Sequence, residues 1–484
     1  MRGWVALVVL PVILGTASRS VAAESFRPAT FDLGAARRVD DLDAIDLPGS
    51  ARATPAVRIR EIRFSSTSWS ETGVKKTIRI QAFVAIPLHA GAAHSLPAVI
   101  SAHGLGSKAD PEDTAELARN LNVVALSLSA PGSGASEGEA PTPQDPKPIF
   151  RGARDIRASW LYQYAFAILR AVSYLETQPE VDARGIVVTG FSMGGLATFI
   201  VGGVDERVRG ILPVAAAGGL ARAAEADTWW RRLVLSADGL KPSDAGPRAL
   251  FSKLDPLAFV ARQHGAVTML VGAQDEYFPL DQVIRTFKAV RAPAKSLEVV
   301  ADYDHGWYFG AGCPAMCMPN AAKATPAEQA KCKAFKCPVA CPAGAEPPYC
   351  GPQGSYNRQQ DFQSRRSLLL RALVARFAAP PRAFSAAPQP PFVQRVRDQV
   401  VVRIMMDPPP KVVRLAVSGN SGYTFGQYVL ARDRDGAWHF RQHVSADAIL
   451  IAEAETADGA TATSIPVLPR NYRPRTRPFG PAPK

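Results

Sequence analysis

Cysteine is absent before residue 313 and after residue 350; all six, Cys313, Cys317, Cys332, Cys337, Cys341 and Cys350, fall in one segment. The bulk of the chain must therefore fold by apolar burial, without crosslinks. No C-x-x-C pair occurs, which excludes a dithiol redox motif. No histidine lies in the segment either, and its C-x3-C, C-x4-C and C-x3-C spacings lack the pattern of a zinc site, so no metal is expected. The segment is rich in Ala, Pro and Lys and poor in large apolar residues. In an oxidising compartment three disulfides, worth roughly 2–4 kcal/mol each, would supply what burial cannot. Their pairing stays open.

Long apolar runs are also missing. The one candidate, Val5 to Leu14, is interrupted by Pro11, preceded by Arg2 and followed by the small-residue site Val21-Ala22-Ala23 before Glu24. That is the pattern of a secretory signal over residues 1–23, and the expectation is export to the periplasm or the exterior, with no transmembrane span once the signal is removed. The formal net charge is +13, yet no basic patch with interleaved aromatics stands out. Arginines are dispersed, apart from a Pro/Arg tail holding Arg470, Arg473, Arg475, Arg477 and Lys484. This excludes a nucleic-acid partner and points to a solvated basic surface. There are no internal repeats, and nothing in the chain specifies an oligomeric state.

What is present is chemistry with a chain order. Ser192 stands in Gly190-Phe191-Ser192-Met193-Gly194, after the β-branched run Gly185 to Thr189 and before the helical Leu196 to Val201. G-x-S-x-G at a strand-to-helix turn lifts a serine hydroxyl out of the sheet, so Ser192 is read as a nucleophile. A serine needs a histidine base, and the histidine an acid to fix its tautomer. Asp275 follows the buried strand Val267 to Gly272, and His305 follows the strand Leu297 to Ala301. The order Ser, Asp, His assigns His305 as general base and Asp275 as its orienting acid, with Glu276, Asp281, Asp302 and Asp304 as rival carboxylates. The strand Pro97 to Ala102 runs into His103-Gly104-Leu105-Gly106, where glycines leave amides free for a developing oxyanion; the amides of Leu105 and Met193 are assigned to it. His103 lies ahead of Ser192, the wrong order for the base, and is read as holding this loop in shape at the pocket edge.

Alternation of apolar strands (97–102, 123–128, 185–189, 208–214, 267–271, 297–301) with helical stretches (112–121, 156–177, 194–202, 280–290, 357–377) implies a mostly parallel sheet with helices on both faces. Two period-two strands, Val57 to Phe64 and Thr77 to Pro87, precede it; residues 24–56 read as a mobile lead-in. Within the catalytic unit of residues 57–379, residues 217–264 form a cap-like insertion and residues 313–354 the cysteine-rich one. The latter departs close to His305 and reads either as a stapled rim over Ser192 or as a structural excursion. Trp229, Trp230 and Trp307 are candidate pocket walls, with core packing the alternative for the adjacent pair; Trp160 and Tyr164 share a helix face and read as core. A Pro-rich linker at 380–391 leads to short alternating runs over 392–468 with a turn at Asp433-Arg434-Asp435-Gly436, a small β-sandwich. The tail is 469–484. His439 and His443 in that domain show no ligand spacing.

Together these residues resemble the α/β-hydrolase superfamily across residues 57–377. The loop Pro131-Gly132-Ser133-Gly134-Ala135-Ser136-Glu137-Gly138 and the helix from Arg170 to Asp182 are similar to those of acetylxylan-esterase-like, dienelactone-hydrolase-like and prolyl-oligopeptidase-like members. The resemblance implies a serine hydrolase without cofactor, acting on small-molecule or carbohydrate esters such as acetylated sugars. Two alternatives are carried: a peptidase of the prolyl-oligopeptidase kind, disfavoured by the short stretch ahead of the first strand, and a binding protein on an inactive hydrolase scaffold.

Overall fold

The computed structural model describes residues 26–54, 56–88, 93–142, 145–226, 228–301, 303–305, 359–378, 390–396, 399–405, 409–419, 422, 425–457 and 459–474. Residues 1–23, read above as a signal, all six cysteines, Trp307, Asp302 and residues 380–389 of the expected linker lie outside them.

Eight longer strands form the body of the ten-stranded central sheet: β1 Val57–Trp69, β2 Lys75–Pro87, β3 Leu96–Ala102, β4 Val124–Leu128, β5 Val181–Phe191, β6 Val208–Val214, β7 Ala266–Gly272 and β8 Lys295–Val300. Their order is β1-β2-β4-β3-β5-β6-β7-β8. The pairs β1–β2 and β2–β4 are antiparallel, and every later pair is parallel. Interior strands such as β4 are buried at every position, as parallel strands covered on both faces must be. This is the α/β-hydrolase arrangement. The helices that matter for the site are α1 Pro111–Leu121, α2 Trp160–Glu176, α3 Met193–Val204, α4 Trp229–Ser236, α5 Leu280–Ala289 and α6 Gln359–Ala375. The start of α1 is set locally: Asp110 Oδ1 accepts the amides of Glu112 and Asp113 at 2.8 and 3.1 Å, with Pro111 at the first helical position.

One segment departs from expectation. Residues 26–54, expected as a mobile lead-in, are packed. Phe31 stacks on Tyr162 of α2 at 4.2 Å, Ala36 and Leu42 are buried, and Ile45–Asp46 and Arg52–Ala53 pair with β1. Buried Arg170 of α2 fastens the segment by donating to the carbonyls of Ser65 and Ala35 and to Asp41. The apolar anchors are too widely spaced along the chain to register as periodicity.

The C-terminal region forms two small antiparallel sheets, as a sandwich-like domain should. One is β9 Phe392–Val396, β10 Gln399–Arg403 and β13 Trp438–Phe440; the other holds β11 Val412–Ser418, β12 Gly426–Val429, β14 Ile449–Glu455 and β15 Thr461–Thr463. It is not a loosely tethered module. Ala416, Phe425, Ile449 and Ile451 join the main hydrophobic core. β15 lies beside the edge strand β8, where Val299 N donates to Thr463 Oγ1 at 2.8 Å and Thr463 N donates to Glu298 Oε2 at 3.1 Å. Buried Arg365 of α6 bonds both Glu298 of β8 and Glu453 of β14. Among the described residues no helix is long and apolar enough to cross a membrane.

Candidate active site

Ser192 takes φ 55° and ψ −116°, a backbone conformation that costs a non-glycine residue about 1–3 kcal/mol. The surrounding packing enforces it. A Cβ on Gly190 would lie 2.4 Å from Gly194 O, and one on Gly194 would lie 2.3 Å from Ala102 O. Both glycines of the motif are thus required by close approach of β5, α3 and β3, while the strain sits on the serine itself. Ser192 N donates to Val214 O at 2.9 Å, which tethers the turn to β6.

The hydroxyl of Ser192 lies 2.8 Å from His305 Nε2, and His305 Nδ1 lies 2.8 Å from Asp275 Oδ2. Asp275 is fixed in turn, its Oδ1 accepting the amides of Tyr277 and Phe278 at 2.8 and 2.9 Å. His305 and Asp275 are buried; Ser192 keeps 9% of its surface open. Of the rival carboxylates, Glu276 receives the backbone amide of His305 at 3.3 Å instead of the ring. Asp281 receives Gln282 Nε2 at 2.8 Å, Asp304 is buried, and Asp302 lies outside the described residues. The imidazole is enclosed by Tyr277, Phe191 and Phe278, with ring centroids 4.4, 5.5 and 5.6 Å away. Neither Tyr277 nor Phe278 was singled out from the sequence, although their place in the turn after Asp275 was the available signal.

The loop after β3 reaches the serine because it carries glycine: a Cβ on Gly104 would stand 3.1 Å from Phe191 Cδ1 and 3.4 Å from Ser192 Cβ. Leu105 follows in this loop, and Met193 opens α3, where an amide has no acceptor within the helix. His103 clasps the loop. Its Nε2 accepts the Ala130 amide at 2.9 Å, so Nδ1 carries the hydrogen that goes to Gly104 O at 2.7 Å. Burial pushes its pKa down to about 4 and keeps the ring neutral. Behind it Tyr164 donates to His103 O at 3.2 Å and Trp160 to Pro131 O at 2.9 Å, so both are core residues that also steady the site's loops.

A cavity of 720 Å³ adjoins Ser192, walled there by His103, Leu105, Phe191, Trp230, Tyr277 and Phe278. Trp230 is buried against Phe251 and Phe278 and also reaches this wall. Trp229 is not among the wall residues; it packs 5.9 Å from Tyr277 beneath Arg232. Trp307 lies outside the described residues. His439, expected without ligand-like neighbours, sits 3.0 Å from Asp435 and 3.8 Å from Asp433. The hairpin turn and Arg441, which bonds Asp433, account for that cluster.

A hydroxyl bonded to an imidazole that is bonded to a buried carboxylate, beside free amides, is equipped for acyl transfer. Residues 53–309, more than half of the chain, match the family model for acetyl xylan esterase (AXE1). The chain belongs to the acetyl xylan esterase family. It is a serine carboxylic-ester hydrolase of the α/β-hydrolase superfamily. Among solved structures, an acetyl xylan esterase from a Paenibacillus species is similar at 18% identity and a TM-score of 0.48, over 65% of this chain and 96% of that one. Acetyl xylan esterase 1 from a Thermoanaerobacterium species is similar at 19% identity and 0.46, over 59% and 93%. A putative dienelactone hydrolase from Klebsiella pneumoniae is similar at 17% and 0.33, over 57% and 96%. No curated protein matches the chain.

Proposed function

We propose that this esterase is exported and removes short acyl groups, acetyl foremost, from carbohydrate through a serine acyl-enzyme. Ser192 attacks the ester carbonyl while His305 takes its proton and then delivers it to the departing sugar oxygen. Asp275 holds the imidazole with Nδ1–H toward itself and stabilises the imidazolium. The amides of Leu105 and Met193 receive the oxyanion. Water then enters by the same proton relay and releases the acid. The observation that carries this reading is the 2.8 Å contact of Ser192 Oγ with an imidazole whose other nitrogen is 2.8 Å from Asp275. The family supports an acetylated carbohydrate as substrate, and the N-terminal pattern supports export.

Ser192→Ala tests the assignment. Turnover of p-nitrophenyl acetate should fall by about a million-fold, the scale seen when a triad serine is removed, with the circular dichroism spectrum unchanged. Activity within ten-fold of wild type would reject the serine as nucleophile.

A further inference from the structure

The cavity beside Ser192 does not end at the aromatic wall. It continues along the groove between α1 and α6, where Asp113, Glu116 and Asn120 face Gln363, Arg366 and Arg371. At its far end Arg371 Nη2 donates to Asn120 O at 3.4 Å, joining the two helices. None of these side chains belongs to the proton relay or the oxyanion loop.

Arg366 is the informative member. Its Nε is buried and has no hydrogen-bond partner, and burial pulls its pKa below the ordinary arginine value. Asp113 is the carboxylate that acts on it most strongly through space, yet the two form no ion pair. A buried guanidinium N–H without an acceptor is costly unless a ligand supplies one.

The composition of the groove selects among ligands. A carboxylate would meet Asp113 and Glu116, and a cation would meet Arg366 and Arg371. An apolar chain would leave the buried Arg366 Nε without an acceptor. A vicinal diol satisfies both signs, since its oxygens accept from a guanidinium and its hydrogens go to a carboxylate. Resting on the esterase reading above, we propose that the α1–α6 groove is a sugar subsite, in which Arg366 and Asp113 bridge hydroxyls of a neutral oligosaccharide whose acylated residue lies at Ser192. Arg366 donates through its fork, Asp113 accepts, and Asn120 and Gln363 complete the donor and acceptor set. The subsite binds the leaving portion of the substrate and takes no part in bond making.

The test separates this subsite from the reaction. In the Ser192→Ala protein, xylotriose binding is measured by titration calorimetry, with and without Arg366→Met or Asp113→Asn. Each added substitution should weaken binding about ten-fold, the effect of losing a hydrogen bond to a charged group. In the active enzyme, the ratio of kcat/KM for an acetylated xylo-oligosaccharide to that for p-nitrophenyl acetate should drop by about ten-fold, mainly through KM. Asp113→Asn preserves the shape of α1, so a folding failure of the arginine variant leaves the measurement standing. Xylotriose affinity insensitive to both changes, or an unchanged ratio, overturns the subsite. Absent turnover of p-nitrophenyl acetate by the unsubstituted enzyme would instead refute the esterase mechanism, while turnover without any xylotriose binding refutes the subsite alone.

Discussion

Ser192 combines two demands that oppose each other. Its hydroxyl must project toward His305, and to do so its backbone occupies φ 55°, a region where a Cβ is unwelcome. Replacing it with glycine relieves that strain, whereas alanine retains it. Ser192→Gly should therefore melt above Ser192→Ala by about 1 kcal/mol of stability, the strain released less the extra freedom of glycine in the unfolded chain. Equal melting temperatures in differential scanning calorimetry would show that the turn is relaxed. Glu276 acts on the same site without touching the reacting atoms. By accepting His305 N at 3.3 Å it fixes the backbone that carries the imidazole. Glu276→Gln keeps an acceptor oxygen and should hold kcat within about three-fold, while Glu276→Ala should lower kcat at least ten-fold with KM little changed, as expected when positioning alone is lost. A purely structural role would lower melting temperature in both variants and leave kcat of the folded fraction intact.

At the scale of elements, the loop after β3 is held by one neutral ring. The His103 pKa falls from 6.5 in the unfolded chain to about 4 in the folded protein. As pH drops, the unfolded chain takes up this proton first, so the contribution of His103 is complete above pH 6.5 and shrinks down to about pH 4. The stability advantage of wild type over His103→Gln should accordingly narrow across that window in urea titrations at a series of pH values. An advantage that stays constant would mean that the ring is protonated within the fold. The order of these elements was legible beforehand: a β-branched run before G-x-S-x-G, an acid after β7 and a histidine after β8 each sit where strand ends must bring them, because successive parallel strands present their C-terminal loops on one rim. What was not legible depends on side chains meeting across elements. Tyr277 and Phe278 read only as residues after the acid, and their enclosure of the imidazole follows from a turn that Asp275 Oδ1 itself fastens.

At the scale of the molecule, the proline-rich stretch marks where the small C-terminal β domain begins, and the structure joins that domain to the catalytic unit through buried charge and shared core. A linker signature reports where the backbone leaves regular structure and says nothing of what the next strands pack against. Tyr472, near the last described residue, lies within 3.3 Å of the amide of Leu280 at the start of α5, a few residues beyond Asp275. A chain ending at Ala378 would expose the apolar face that meets Phe425, Ile449 and Ile451, and would leave Arg365 without Glu453 and Glu298 without Thr461 and Thr463. It should be insoluble or lack a cooperative transition, while the full chain should melt in one calorimetric transition; two resolved transitions would show that the halves fold independently. The covering of β8 by β15 has one more consequence. On the outer side of β8, Thr463 Oγ1 already takes the Val299 amide and the Leu297 carbonyl that another backbone would need, and on the opposite flank short two-residue pairings do the same for part of β1. Among the described residues, both ends of the great sheet are thus blunted against strand-to-strand docking by another molecule.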